Sequence, residues 1–257
     1  MWNTGEAVSG QPWDARQFES RCMNVTIIDC AQNTFLSTAE GQRCAGRIAV
    51  EHAIARTWKQ SSENNSSSNA YKILITKDSG GKPHAVVQSG TYRQNVAISI
   101  SHAFPYALGA ASMGEVLILG ADVERVRDFS PAMRSVFLTP RERIVLRTKP
   151  RDNRFWVTLC WSLKEAALKA LGVGLRAHPS RIDVSSALKV SGTSTIHIDK
   201  TEYASKIWWQ SIDNNKYVMA IVALPKICTI QYRTQQTCHE SARTYCNDNR
   251  RYSKNPR

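Results

Sequence analysis

The sequence predicts an α+β protein made of two similar α+β lobes related by a pseudo-twofold axis, and three observations carry that expectation. First, Phe155 to Leu171 has helical period: Trp161, Glu165 and Leu168 recur at spacings of four and three, and Leu163, Ala167 and Leu171 at four. Second, short apolar or alternating runs recur between turn residues elsewhere, as strands do. Third, Phe35-Leu36-Ser37-Thr38-Ala39-Glu40 is echoed by Phe137-Leu138-Thr139-Pro140-Arg141-Glu142, and an amphipathic helix follows each copy.

The chain of 257 residues can fill one large or two small domains and bury a core without covalent staples. Its hydrophobic share of 42% is that of an ordinary globular protein. A formal charge of +13 favours anionic partners, and the excess is uneven: residues 125–181 hold thirteen Arg or Lys against four Asp or Glu. The seven cysteines include no CxxC pair and are odd in number, which points to reduced thiols in a cytoplasmic protein. Neither a signal peptide nor a membrane span is expected, because no basic start leads into an apolar stretch and no run of about eighteen apolar residues occurs.

Taken in order, residues 1–20 read as a polar arm and Val25 to Ile28 as a short strand. Ser37 or Thr38 caps a helix with Glu40 in its first turn, running to about Trp58. The Ser/Asn run 61–69 reads as a flexible loop. Tyr71 to Thr76 is a strand, Asp78 to Pro83 a turn, and His84 to Val87 pairs back across it. Asn95 to Ser101 is a further strand closed by His102. Tyr106 to Met113 and Val116 to Val123 then read as a hairpin turning at Gly114. The small residues of its first strand suit tight packing on a helix. Thr139 and Pro140 open the next helical section as N-cap and N1. Strands follow at 182–184, 195–198, 204–209 and 217–224. The expected division is an N-terminal lobe 1–115, a C-terminal lobe 116–225 and a basic tail 226–257.

Chemistry concentrates on two of these elements. The apolar run from Glu115 ends in Asp122 and Glu124, which share one side of a strand while Val123 takes the other; Gly120 just before them admits close approach. On the helix, Glu165 stands four residues before Lys169 and directly after Lys164. These are either an i,i+4 ion pair on an amphipathic helix or a carboxylate and two ammonium groups offered to a metal-bound phosphate. The basic excess also suits a nucleic-acid-binding module, but there is no zinc spacing or RNP-type aromatic motif, and Asp122 and Glu124 would repel phosphate unless a metal intervened.

Four segments together resemble the 4'-phosphopantetheinyl transferases, in particular the larger two-lobed branch: Gly120-Ala121-Asp122-Val123-Glu124, Trp161-Ser162-Leu163-Lys164-Glu165-Ala166-Ala167-Leu168-Lys169, Ser99-Ile100-Ser101-His102 and Gly81-Lys82-Pro83. Ala45-Gly46-Arg47 is similar to that family's first basic helix, and the likeness spans roughly residues 35–225. The chain departs from the pattern at Ala103, where a small hydroxyl residue is usual, and at Val50-Glu51, where a lysine is common.

The resemblance implies Mg²⁺-dependent transfer of phosphopantetheine from coenzyme A to a serine of an acyl or peptidyl carrier domain, releasing 3',5'-ADP, by a monomeric enzyme that binds neither nucleic acid nor membrane. An inactive scaffold of the same fold is the alternative. The implied metal ligands are Asp122 and Glu165, with Glu124 direct or through water; the alternative for Glu124 is a surface pair with Arg125 or Arg127. Lys169 would meet the pyrophosphate, Lys164 would orient Glu165 or stabilise the leaving oxygen, and Glu165 or a water it activates would take the serine proton. Arg47, Arg43, Ser101 and His102 would contribute to coenzyme A binding, with His102 as a phosphate clamp or simply a strand-end histidine. Lys82 with Pro83 would add charge near the nucleotide, or remain an exposed turn lysine. Arg134, Arg141, Arg143, Arg147, Lys149, Arg151 and Arg154 are candidates for meeting an acidic carrier.

Overall fold

The computed structural model describes residues 23–31, 37–62, 70–114, 117–150, 153–189 and 192–226. The expected arm, most of the 61–69 loop, the basic tail beyond Lys226, and Arg151 lie outside the described residues. The chain runs β1 (Met23–Asp29), α1 (Ala39–Ser62), β2 (Lys72–Lys77), β3 (Pro83–Ser89), β4 (Tyr92–Ala103), β5 (Tyr106–Met113), β6 (Leu117–Arg125), α2 (Pro131–Phe137), α3 (Pro140–Arg147), α4 (Arg154–Leu171), β7 (Ile182–Asp183), β8 (Gly192–Ile198), β9 (Thr201–Ile212) and β10 (Tyr217–Pro225).

The strands form two five-stranded antiparallel sheets with one shared order, β1-β5-β4-β3-β2 and β6-β10-β9-β8-β7. Each sheet opens with an edge strand, sends the chain through a helix, and returns as a meander that ends beside the first strand. The α+β class and the internal duplication are borne out. Parity along the strands explains the layering. On β5, Ala111 and Met113 face α1 with Val50 and Ile54, while Leu108 and Ala110 face the second sheet. On β10, Val218, Ala220 and Val222 face α4, while Met219, Ile221 and Ala223 face the first sheet. The two sheets therefore pack face to face, with a helix over each outer side.

Local chemistry sets the helix ends. The Thr38 hydroxyl accepts from Gly41 N at 3.0 Å, so Thr38 is the cap. Thr139 and Glu142 make a reciprocal capping box at the start of α3. α4 stops at Gly172, whose φ of 75° is left-handed.

Three expectations need correction. β5 and β6 are not a hairpin: β5 is flanked on both edges by β1 and β4, so β6 crosses over to found the second sheet on β10. α1 continues through Ser62 rather than stopping near Trp58. The section after Phe137 is two helices, and α2, which precedes them under a Ser130 cap, was not anticipated.

Candidate functional site

The acids stand where β6 meets α4. Gly120 makes this possible: a Cβ there would lie 1.8 Å from the Ala166 carbonyl oxygen, so only glycine lets the strand touch the helix backbone. Two and four residues on, Asp122 and Glu124 share that face, while Leu119, Ala121 and Val123 pack between the sheets. Asp122 is 3% exposed.

Lys169 reaches over from α4. Its Nζ donates to Asp122 Oδ1 at 2.7 Å, to Ser101 Oγ at 3.0 Å and to the Ala121 carbonyl at 3.3 Å. Ser101, on β4, donates its own hydroxyl to Asp122 Oδ1 at 2.8 Å. The first sheet thus contributes directly to the acidic centre. Ser99 and Ser101 also accept from the backbone amides of Ala121 and Val123.

Glu165, four residues before Lys169 on α4, is coupled electrostatically to both acids of β6. Burial first, and the Asp122 carboxylate second, push it up to about 7, with Glu124 adding to the rise and Lys169 opposing it. Glu124 is also raised by burial and by Asp122, while the Trp161 indole, donating to its Oε1 at 3.1 Å, works the other way. Asp122 Oδ2 and Glu165 Oε1 are buried and lack a hydrogen-bond partner among the described residues. Bare carboxylate oxygens of this kind are costly unless a cation answers them.

Among the described residues, no three His, Cys, Asp or Glu side chains are already gathered as a metal cluster. The donor chemistry nevertheless fits a hard divalent cation. Two bare carboxylate oxygens and a third, raised acid, offset in part by Lys169 and Arg127, are what Mg²⁺ would relieve.

The other expected residues fall into two groups. His102 and Arg43 lie at the rim. Loss of water around the ring and the Lys169 ammonium hold His102 below the usual imidazole value, and Arg43 adds a smaller push the same way. Arg47, one turn on from Arg43, is exposed and pairs with Glu51 at 2.9 Å. Lys82 spans the lobes: the stem lies against Gly172 and Nζ donates to the Ala170 carbonyl at 2.6 Å, closing the C-terminal end of α4. Pro83 follows it as the first residue of β3.

Lys164 stands apart from these residues. It is 0% exposed and pairs with Glu142 at 2.9 Å, on the side of α4 turned into its own lobe. Its hydrogen-bond partners are Glu142 and the carbonyls of Pro179 and Ile182. The sequence reading also missed Ser99 and the Trp161–Glu124 bond. The strand period offered a signal for Ser99, two residues before Ser101, and the helix period for Trp161, one turn before Glu165.

Coupled acids, an ammonium between the lobes and a basic rim are groups that would suit a cation-bridged anion, of the kind a phosphate-transferring enzyme uses. Residues 118–222, from β6 through most of β10, match the family model described as the 4'-phosphopantetheinyl transferase superfamily. Over this stretch the chain is similar to that superfamily, which supports a phosphopantetheinyl transferase role in general terms. No curated protein matches the chain.

Proposed function

We propose that the protein transfers 4'-phosphopantetheine from coenzyme A to a serine hydroxyl of an acyl or peptidyl carrier domain, releasing 3',5'-ADP. One observation carries the reading. Asp122 and Glu165, within the stretch that matches the superfamily, carry buried oxygens with no partner among the described residues and repel each other electrostatically, and Lys169 bridges Asp122 to Ser101 of the other lobe.

The serine Oγ attacks the phosphorus that bears pantetheine, and the bond from that phosphorus to the bridging oxygen breaks, so the electron pair leaves with 3',5'-ADP. Asp122, Glu165 and Glu124 would hold Mg²⁺, which would supply charge neutralisation to the phosphates. All three ammonium donors of Lys169 are engaged, so it meets a phosphate oxygen by exchanging one partner, the Ala121 carbonyl being the longest at 3.3 Å. Glu165, or a water it holds, takes the serine proton. His102 with Arg43 holds a phosphate of coenzyme A at the rim, Arg47 adds charge one turn away, and Lys82 and Pro83 shape the opposite edge. An acidic carrier is drawn to the arginines of α2 and α3, where Arg134, Arg141, Arg143 and Arg147 lie. The enzyme acts as a monomer in the cytoplasm.

The test is mass spectrometry of an apo carrier incubated with the protein, coenzyme A and Mg²⁺. A gain of about 340 Da, one phosphopantetheine, is expected. It should vanish with Asp122→Ala while the circular dichroism spectrum stays unchanged. No gain with fatty acid, polyketide and peptide carriers alike would refute the proposal.

A further inference from the structure

We propose that Lys164 and Glu142 form a buried ionic clamp that sets the rotation of α4 and thereby aims Glu165 at Asp122, which makes Lys164 a positioning residue. The role in turnover rests on the transfer reaction proposed above; the clamp itself rests on geometry.

Both side chains are 0% exposed and stand 2.9 Å apart. Lys164 Nζ also donates to the carbonyls of Pro179, at 3.1 Å, and Ile182. Its three protons are therefore all placed. Glu142 is held as firmly. Its Oε1 accepts from Val184 N and its Oε2 from Thr139 N, each at 2.8 Å. The pair thus ties the middle of α4 to the first turn of α3, the 3-10 turn at Pro179–Arg181 and the backbone at β7. Asp183 extends the network, accepting from the Thr139 hydroxyl and from Ser185 N at 3.0 Å.

Apolar contacts are not directional, and a helix seated only on Leu and Ala can roll. Hydrogen-bonded charges have fixed angles, and an ion pair this deep gains little stability over a well-packed apolar substitute, so its directionality is what distinguishes it. Successive helix positions point about 100° apart, so fixing Lys164 fixes Glu165. The opposite side of α4 is braced where Gly120 meets Ala166 and Ala170. Gripped between the two, the helix presents its carboxylate in one direction.

The test compares wild type, Glu142→Gln, Lys164→Met and the double variant, by three readouts: kcat and KM for transfer, Mn²⁺ affinity from its electron-spin resonance signal, and melting. Glu142 is remote from the acids, yet a clamp requires Glu142→Gln and Lys164→Met to lower kcat by similar factors, about tenfold or more. Mn²⁺ binding should weaken in parallel, KM for coenzyme A should hardly move, and the double variant should be no worse than either single one. If Lys164→Met unfolds, Glu142→Gln and the neutral double variant still decide. A far larger kcat loss for Lys164 than for Glu142, not recovered in the double variant, would mean that Lys164 touches the reacting phosphate and would overturn the clamp. Lower melting with unchanged kcat and Mn²⁺ affinity would overturn it too, leaving only a stabilising pair. The Mn²⁺ readout needs no turnover: a wild type that transfers nothing refutes the reaction, whereas equal Mn²⁺ affinity across the variants refutes the clamp.

Discussion

An alanine at position 120 would have nowhere to go. Its Cβ would stand 1.8 Å from the Ala166 carbonyl oxygen and 2.6 Å from Ala170 N, both backbone atoms of α4. Non-bonded heavy atoms settle at about 3.5 Å, so the helix must retreat by about 1.7 Å from a strand it now touches. A packed interior does not compress to absorb that. Overpacking typically costs about 1–3 kcal/mol, and a clash with helix backbone belongs at the top of that range. For a chain of this size, about 3 kcal/mol is a fall in melting temperature of about 6–12 °C. Glu165 rides on the displaced turn, and a misplacement of about 1 Å can cost a hundredfold in rate. Differential scanning calorimetry and the carrier mass-gain rate read the two effects separately. A Gly120→Ala protein that melts within about 2 °C of wild type and transfers at its rate would show that contact between strand and helix does not set the site.

Two further outcomes follow from the charges. Glu165→Gln should abolish transfer while raising the melting temperature of metal-free protein, because it removes a buried carboxylate repelled by Asp122 and Glu124; unchanged turnover or a lower melting point would contradict that. His102, lowered by desolvation and by Lys169, should titrate in a proton NMR series below the free imidazole value of about 6.5 and move upward when coenzyme A is added. A depressed histidine adds no pH dependence to stability above the unfolded value and loses stability as pH falls from there to its folded value. A midpoint that ignores coenzyme A would remove His102 from the phosphate site.

Much of the site was legible because period alone decides which neighbours share a face. Asp122 and Glu124 two apart on a strand, and Trp161, Glu165 and Lys169 four apart on a helix, needed no partner to be placed. Lys164 and Glu165 show where that reasoning stops. Adjacent on the helix, they look equally available, and only Glu142, contributed by a different helix, reveals that one of them is turned inward. The β5–β6 hairpin failed for a related reason: a glycine between two apolar runs signals a turn, but not that both edges of β5 are already taken. Lys82 reads as a solvated turn residue until α4 arrives beneath it, because its acceptor is a backbone carbonyl that no side-chain pattern advertises.

The serine hydroxyls on β4 have a steric consequence. On one side β6 is laddered to β10; on the other, the amides of Ala121 and Val123 are met by Ser99 and Ser101 instead of by a further ribbon of main chain. A full strand there would satisfy the same donors, but it would wall off the carboxylate between them. Two single oxygen atoms finish the edge with little bulk and leave no unpaired amides at Ala121 and Val123 for a stray chain to join.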